Sequence, residues 1–158
     1  IAALYATNMQ RTQQTVAPLA ALLDQEAVIE RDLMEIGLGE WEGGVIRQKA
    51  AENHPIYQQM LLEQRWDVIP GAESNEEFGS RCMDALNRIV DRHPGELVLC
   101  TVHGGVIGSI LAQIASAKPF AFAGADNCSI SQIVRSEGEW SIRRFNDSSH
   151  LFAHIHHA

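Results

Sequence analysis

Cysteine is scarce in this sequence, and what there is forms no framework. Cys82, Cys100 and Cys128 are the only three, an odd number at wide spacings, which supports neither a disulfide set nor a zinc site. A reducing cytoplasm is the compartment such usage fits. Positive charge is also short: 12 Lys and Arg stand against 20 Asp and Glu, for a formal net charge of -8. That balance argues against nucleic acid and anionic membrane as partners, because both reward a basic face. It leaves room for a small anion held by a few convergent Arg and His side chains. No apolar run reaches the roughly 18 residues of a membrane helix, and no basic segment leads into an apolar one as in a secretory signal. Internal repeats and low-complexity tracts are missing too. The 158 residues are therefore expected to form one domain, long enough to bury a core without staples.

What is present alternates between short apolar runs and helical periods. Ile1 to Ala6 is apolar and ends at Thr7-Asn8, which suit a turn or a helix N-cap. A helix is predicted over Gln10 to Leu23, with Val16, Leu19, Ala20 and Leu23 buried and a kink or restart at Pro18. Val28 to Leu33 reads as extended. Gly37, Gly39, Gly43 and Gly44 make an irregular stretch around Trp41, and Arg47 to Arg65 reads as helical with a break at His54-Pro55. After the Val68 to Ala72 loop, Ser74 and Glu77 have capping-box spacing. Phe78, Cys82, Leu86, Ile89 and Val90 then repeat at helical intervals until Pro94-Gly95. Leu97 to Val102 is continuously apolar, as in a buried parallel strand. A helix follows over Val106 to Ala115, and Ile130 to Arg135 and Trp140 to Phe145 form a hairpin through Glu137-Gly138. This alternation predicts an α/β fold: a three-layer α/β/α sandwich with a mostly parallel sheet.

Three positions carry chemistry of interest. His103 ends an apolar strand and is followed by Gly104-Gly105 and a helix. In open α/β sheets ligands bind beyond the carboxyl ends of strands, and a helix N-terminus with glycines favours a close anion. The plainer alternative is a histidine that closes a strand before a Gly-Gly turn. Arg11 lies at another strand-to-helix junction, where its planar fork suits two phosphate oxygens; the alternative is a solvated helix-face arginine. Glu35 sits among Leu33, Met34 and Ile36, where desolvation would favour the neutral acid; the alternative is an exposed loop glutamate. His154, His156 and His157 near the end do not have the spacing of a zinc site, so no metal and no cofactor are expected. Trp41, Trp66 and Trp140 read as packing residues.

In order along the chain, several stretches resemble the histidine phosphatase superfamily, the phosphoglycerate mutase-like group. Leu4 to Ala17, with Arg11-Thr12-Gln13-Gln14-Thr15, is similar to its strand, turn and Arg-Thr-x-Gln-Thr-Ala. Asp32 to Gly43 resembles its Leu-x-Glu-Ile-x-x-Gly-x-Trp-Glu-Gly, and Pro70-Gly71-Ala72-Glu73-Ser74 with Glu77, Phe78 and Arg81 resembles its Pro-Gly-Gly-Glu-Ser helix entry. Val98 to Ile107 is similar to its Val-Leu-x-Val-x-His-Gly-Gly-Val-Ile; Asn127, Ser129, Asn146, Asp147, His150 and Leu151 resemble its closing segments. The resemblance implies that Arg11 binds the phosphoryl group, that Glu35 protonates the leaving oxygen, and that His103 is the second active-site histidine, which contacts and stabilises the phosphoryl group; Gly104 beside it, where the backbone can approach an anion closely, is expected to bind phosphate as well.

The family's first motif, Arg-His-Gly, supplies the phosphorylated histidine and is not found among the 158 residues. The expectation is an N-terminally incomplete domain. The missing segment would include a central strand flanked by the Ile1 to Ala6 and Leu97 to Val102 strands. The function implied is a phosphomonoester hydrolase working through phosphohistidine on a small phosphorylated substrate. Phosphoglycerate mutase is an alternative, although mutases resemble Asn-Glu-Arg-His-Tyr-Gly around the acid rather than the Glu35 segment. A non-catalytic phosphate-binding remnant is a further alternative. A homodimer is left open.

Overall fold

The computed structural model describes residues 1–152. Its elements in chain order are β1 (Ala3–Ala6), α1 (Gln10–Leu23), β2 (Ala27–Ile29), α2 (Val45–Ala51), α3 (Pro55–Glu63), α4 (Asn75–Arg92), β3 (Val98–Thr101), α5 (Gly104–Ile114), β4 (Ile130–Ser136), β5 (Glu139–Asp147) and α6 (Ser149–Phe152). The first three strands form a parallel sheet in the order β2-β1-β3. Strand side chains alternate between faces, and β1 uses both. Leu4 and Ala6 pack with Val16 of α1, while Tyr5 packs with Phe78, Cys82 and Ile89 of α4 and Val106 and Ile110 of α5. Helices thus cover both faces of the sheet, which gives the expected three layers.

The strongest local signals fold as their chemistry dictates. Ser74 accepts the Glu77 N–H while the Glu77 carboxylate accepts the Ser74 N–H, closing the capping box at the start of α4. Phe78, Cys82, Ala85, Leu86 and Ile89 then form the buried stripe of that helix. Glu137 and Gly138 turn the β4–β5 hairpin with φ of 52° and 84°, the positive pair that a two-residue hairpin turn requires. His54 caps α3 through Nδ1, and Pro55 sits in the first turn, where no N–H is needed.

Other expectations need correction. Pro18 does not restart α1, which is continuous from Gln10 to Leu23. Both Pro18 and Gln14, whose carbonyl loses its helical donor, are exposed, on the side of α1 where water can replace a lost bond. The extended stretch after Val28 is cut short: β2 ends at Ile29, and Glu30 caps a 3-10 turn over Arg31–Leu33 by accepting the Asp32 N–H. The placing of a missing strand between Ile1–Ala6 and Leu97–Val102 is also overturned. β1 pairs directly with β3, Ala3 opposite Val98 through Ala6 opposite Thr101. β1 is paired on both edges. It is β3 whose second edge has no strand partner among the described residues. The antiparallel hairpin lies against the α4–α5 core through Ile133 and Trp140.

Candidate functional site

His103 follows β3 and is the N-cap of α5, with extended backbone that turns at once into Gly104 and Gly105. The ring is buried. Its Nε2 lies 2.9 Å from Thr7 Oγ1, which lies 2.9 Å from Thr12 Oγ1. Proton bookkeeping orients this chain. Thr12 Oγ1 donates its single proton to the Met9 carbonyl at 2.8 Å, and Thr7 Oγ1 accepts the Met9 N–H at 3.3 Å. With the Thr12 proton on the Met9 carbonyl, the consistent order has Thr7 donating to Thr12 and His103 Nε2–H donating to Thr7, the Nε2–H tautomer of the neutral ring. Burial, and then the positive charges of Arg11 and Arg81, push the His103 pKa down to about 4. The ring is neutral at pH 7 while no anion lies beside it.

Glu35 is presented by the segment between the Arg31–Leu33 turn and a second 3-10 turn, Gly39–Trp41. Leu33 and Ile36 on either side are buried in the main core, so the carboxyl between them has little freedom to leave. Its Oε1 accepts the Ile36 N–H at 3.1 Å, and its Oε2 accepts the Gly105 N–H at 3.3 Å. Desolvation by burial raises its pKa above the ordinary value. Those two amide bonds and the charges of Arg11 and Arg81 oppose the rise without cancelling it. A Cβ at position 105 would overlap Glu35 Oε1, so the present carboxyl position depends on glycine there.

Arg11 lies in the first turn of α1, exposed. Its side chain is in none of the ion pairs among the described residues. Its charge acts on both Glu35 and His103, and the Glu35 carboxylate meets the first turn of α5 directly after His103. Gly104 opens α5 and lines a cavity that passes Gly105, Phe78 and Trp66 and reaches Pro119. The side chains lining that cavity are apolar or uncharged. Gly105 was read with Gly104 as part of an anion-favouring turn, while Thr7 and Thr12 were not picked out in the sequence as site residues. Only the position of Thr7 and Thr12 beside the Arg11 junction hinted at them.

Among the described residues, no group of three or more His, Cys, Asp and Glu side chains could hold a metal ion. His154, His156 and His157 lie outside the described residues. Trp41 is buried with Met60 and Ile69, and the Trp66 ring packs 4.8 Å from that of Phe120. No helix among the described residues is long and apolar enough to cross a membrane.

The fold and the site define an α/β domain with a helix N-terminus and a desolvated acid side by side at one strand end. The match to known proteins names the family. Residues 1–148 fit the model of the histidine phosphatase superfamily, branch 1, and the chain belongs to that superfamily. It is 34% identical to phosphoglycerate mutase-like protein 4 of Arabidopsis thaliana over 96% of this chain and 66% of that protein. It is 32% identical to a metal-independent phosphoserine phosphatase of the same plant, over 94% of this chain and 63% of that one. The chain thus spans about two thirds of the length of these relatives. Among solved structures, Bacillus stearothermophilus YhfR superposes with a TM-score of 0.80 at 24% identity, covering 96% of this chain and 76% of the other. A mycobacterial glucosyl-3-phosphoglycerate phosphatase gives 0.79 at 21% identity, covering 93% and 78%. These likenesses establish the phosphoglycerate mutase-like fold.

Proposed function

We infer that this chain is the larger part of a phosphomonoester hydrolase that works through a phosphohistidine, with the nucleophilic histidine supplied from outside these 158 residues. The observation that carries the reading is the raised, desolvated Glu35 carboxyl, hydrogen-bonded to the helix turn that follows His103. The names of relatives support it. One is a phosphoserine phosphatase and another a glucosyl-3-phosphoglycerate phosphatase, both acting on small phosphomonoesters. The edge of β3 that has no strand partner among the described residues, and which leads to His103, offers a place for a further strand bearing the nucleophile.

In the first step the histidine nitrogen attacks phosphorus, and the ester P–O bond breaks with its electron pair staying on oxygen. Glu35, kept protonated by burial, gives its proton to that oxygen. In the second step Glu35 as carboxylate takes a proton from water, the water oxygen bonds to phosphorus, and the P–N bond breaks to release phosphate. Arg11 holds the phosphoryl oxygens throughout. An incoming phosphoryl group also reverses the balance at His103. Negative charge beside the ring favours the imidazolium that burial and two arginines otherwise disfavour, and the protonated ring then helps to stabilise the transferred group. Hydrolysis is preferred over mutase chemistry because the segment around Glu35 has the phosphatase-like form. Three free thiols accord with a reducing, cytoplasmic setting. The substrate is a small phosphorylated molecule.

The test is phosphate release by the full-length gene product from p-nitrophenyl phosphate and a panel of alkyl monophosphates. Turnover of these esters supports hydrolysis. Transfer of phosphate between phosphoglycerates without net release would establish the mutase instead, and no reaction with any ester would leave a binding remnant.

A further inference from the structure

We propose that Arg81 and Glu73 are positioning residues for Glu35, clamping the backbone that presents the acid. This rests on the reading of Glu35 as the proton donor. The guanidinium of Arg81 has five N–H donors in a fixed fork, and all five are used. Nε donates to Glu73 Oε1 at 2.6 Å, and Nη2 donates to Glu73 Oε2 at 2.8 Å and to the Glu35 carbonyl at 3.1 Å. Nη1 donates to the carbonyls of Asp32 at 2.8 Å and Met34 at 2.7 Å. Glu73 completes the grip: its Oε2 accepts the Gly37 N–H at 3.2 Å, and its own N–H donates to the Gly37 carbonyl at 2.8 Å.

Residues 32, 34, 35 and 37 are therefore fixed through their main chain to one rigid ion pair at the start of α4. The segment has no regular secondary structure between its two 3-10 turns, so its backbone polar groups need side-chain partners. Nothing in this arrangement touches the Glu35 carboxyl, which is held separately by Ile36 and Gly105. The clamp sets where the Glu35 main chain stands, and Gly105 sets where its carboxyl points. Phe78 backs the guanidinium, its ring centre 4.8 Å from Arg81 Cζ. Lysine cannot replace this fork, since its three donors share one nitrogen.

The experiment compares leaving groups in the full-length protein. Protonation by Glu35 matters for an alkyl phosphate, whose alkoxide leaves poorly, and little for p-nitrophenyl phosphate, whose phenolate leaves without help. For Arg81→Lys and Glu73→Gln, kcat/KM for the alkyl ester is expected to fall about 10²-fold, the cost of a misplaced catalytic group. For the aryl ester it should change less than about threefold. In a Glu35→Gln background, Arg81→Lys should cost nothing further, because groups acting as one unit are not additive. Equal losses on both esters, or full additivity with Glu35→Gln, would overturn the proposal. So would loss of the cooperative thermal transition in both variants, since that assigns the pair to the fold alone. A wild-type protein inactive on both esters would refute the underlying phosphatase reading. An active wild type whose Arg81→Lys variant matches it would refute only the clamp.

Discussion

Replacing Gly105 with alanine should separate catalysis from folding more cleanly than any other single change. Position 105 is in the first turn of α5, and alanine is favoured over glycine in a helix by about 0.8–1.0 kcal/mol. The fold has no reason to suffer. The new Cβ, however, would overlap Glu35 Oε1. Main-chain bonds to Arg81 and Glu73 hold the Glu35 segment, so the backbone cannot retreat and the carboxyl must rotate aside. That rotation breaks its 3.3 Å bond to the Gly105 N–H and moves the acid by on the order of 1 Å. A displacement of that size costs about 10²-fold in rate where geometry is exacting. The assay is kcat/KM with an alkyl phosphate beside a thermal melt of the same sample. The expected pattern is a Tm equal to or above wild type with about 10²-fold less activity. Wild-type activity in the alanine variant would refute the claim that this carboxyl position is the working one.

Glu35→Gln should lower alkyl phosphate hydrolysis by about 10²–10⁴-fold, the range for a lost general acid, and spare the aryl ester, as measured in steady state. Because burial raises the Glu35 pKa, wild-type kcat/KM on alkyl esters should fall as pH rises through that raised value; a pH profile shows whether the limb disappears in the glutamine variant. His103 has a folded pKa of about 4 against an ordinary value near 6.5. The unfolded chain therefore takes up its proton first, and stability present above about pH 6.5 is lost as pH falls toward 4, by about 3 kcal/mol at most; urea unfolding of wild type and His103→Asn measures the difference. Ser74→Ala removes the capping box of α4 and should cost about 1 kcal/mol, seen as a lower urea midpoint at unchanged slope.

Local chemistry in the sequence revealed more than long-range pairing did. Ser74 and Glu77 are three residues apart, so their cap could be read directly, as could the Glu137-Gly138 turn and the strand-end place of His103. The direct pairing of β1 with β3 joins residues some 95 positions apart, and no short-range pattern records which strands are neighbours. Pro18 misled because its cost depends on whether the orphaned carbonyl reaches water, which is a matter of exposure. His103 stood out by its setting between a strand and a Gly-Gly helix entry, while Arg11 and Glu35, ordinary by position alone, stood out through the family resemblance. Their supports did not: Thr7 meets His103 across 96 residues, and Arg81 reaches the Met34 carbonyl across 47. Threonine and arginine at those places look ordinary until the fold brings their partners in.

The central claim is that phosphoryl transfer passes through a histidine outside these residues, with Arg11, Glu35 and His103 completing the site. It is tested most directly by mixing the full-length gene product with a phosphomonoester, quenching during turnover and mapping the label. The account predicts an acid-labile, alkali-stable phosphohistidine in a peptide outside residues 1–158, accumulating on substrate in the presence of chelator. Label on His103 itself, or turnover with no phosphorylated protein at any time and full dependence on added metal, would contradict it.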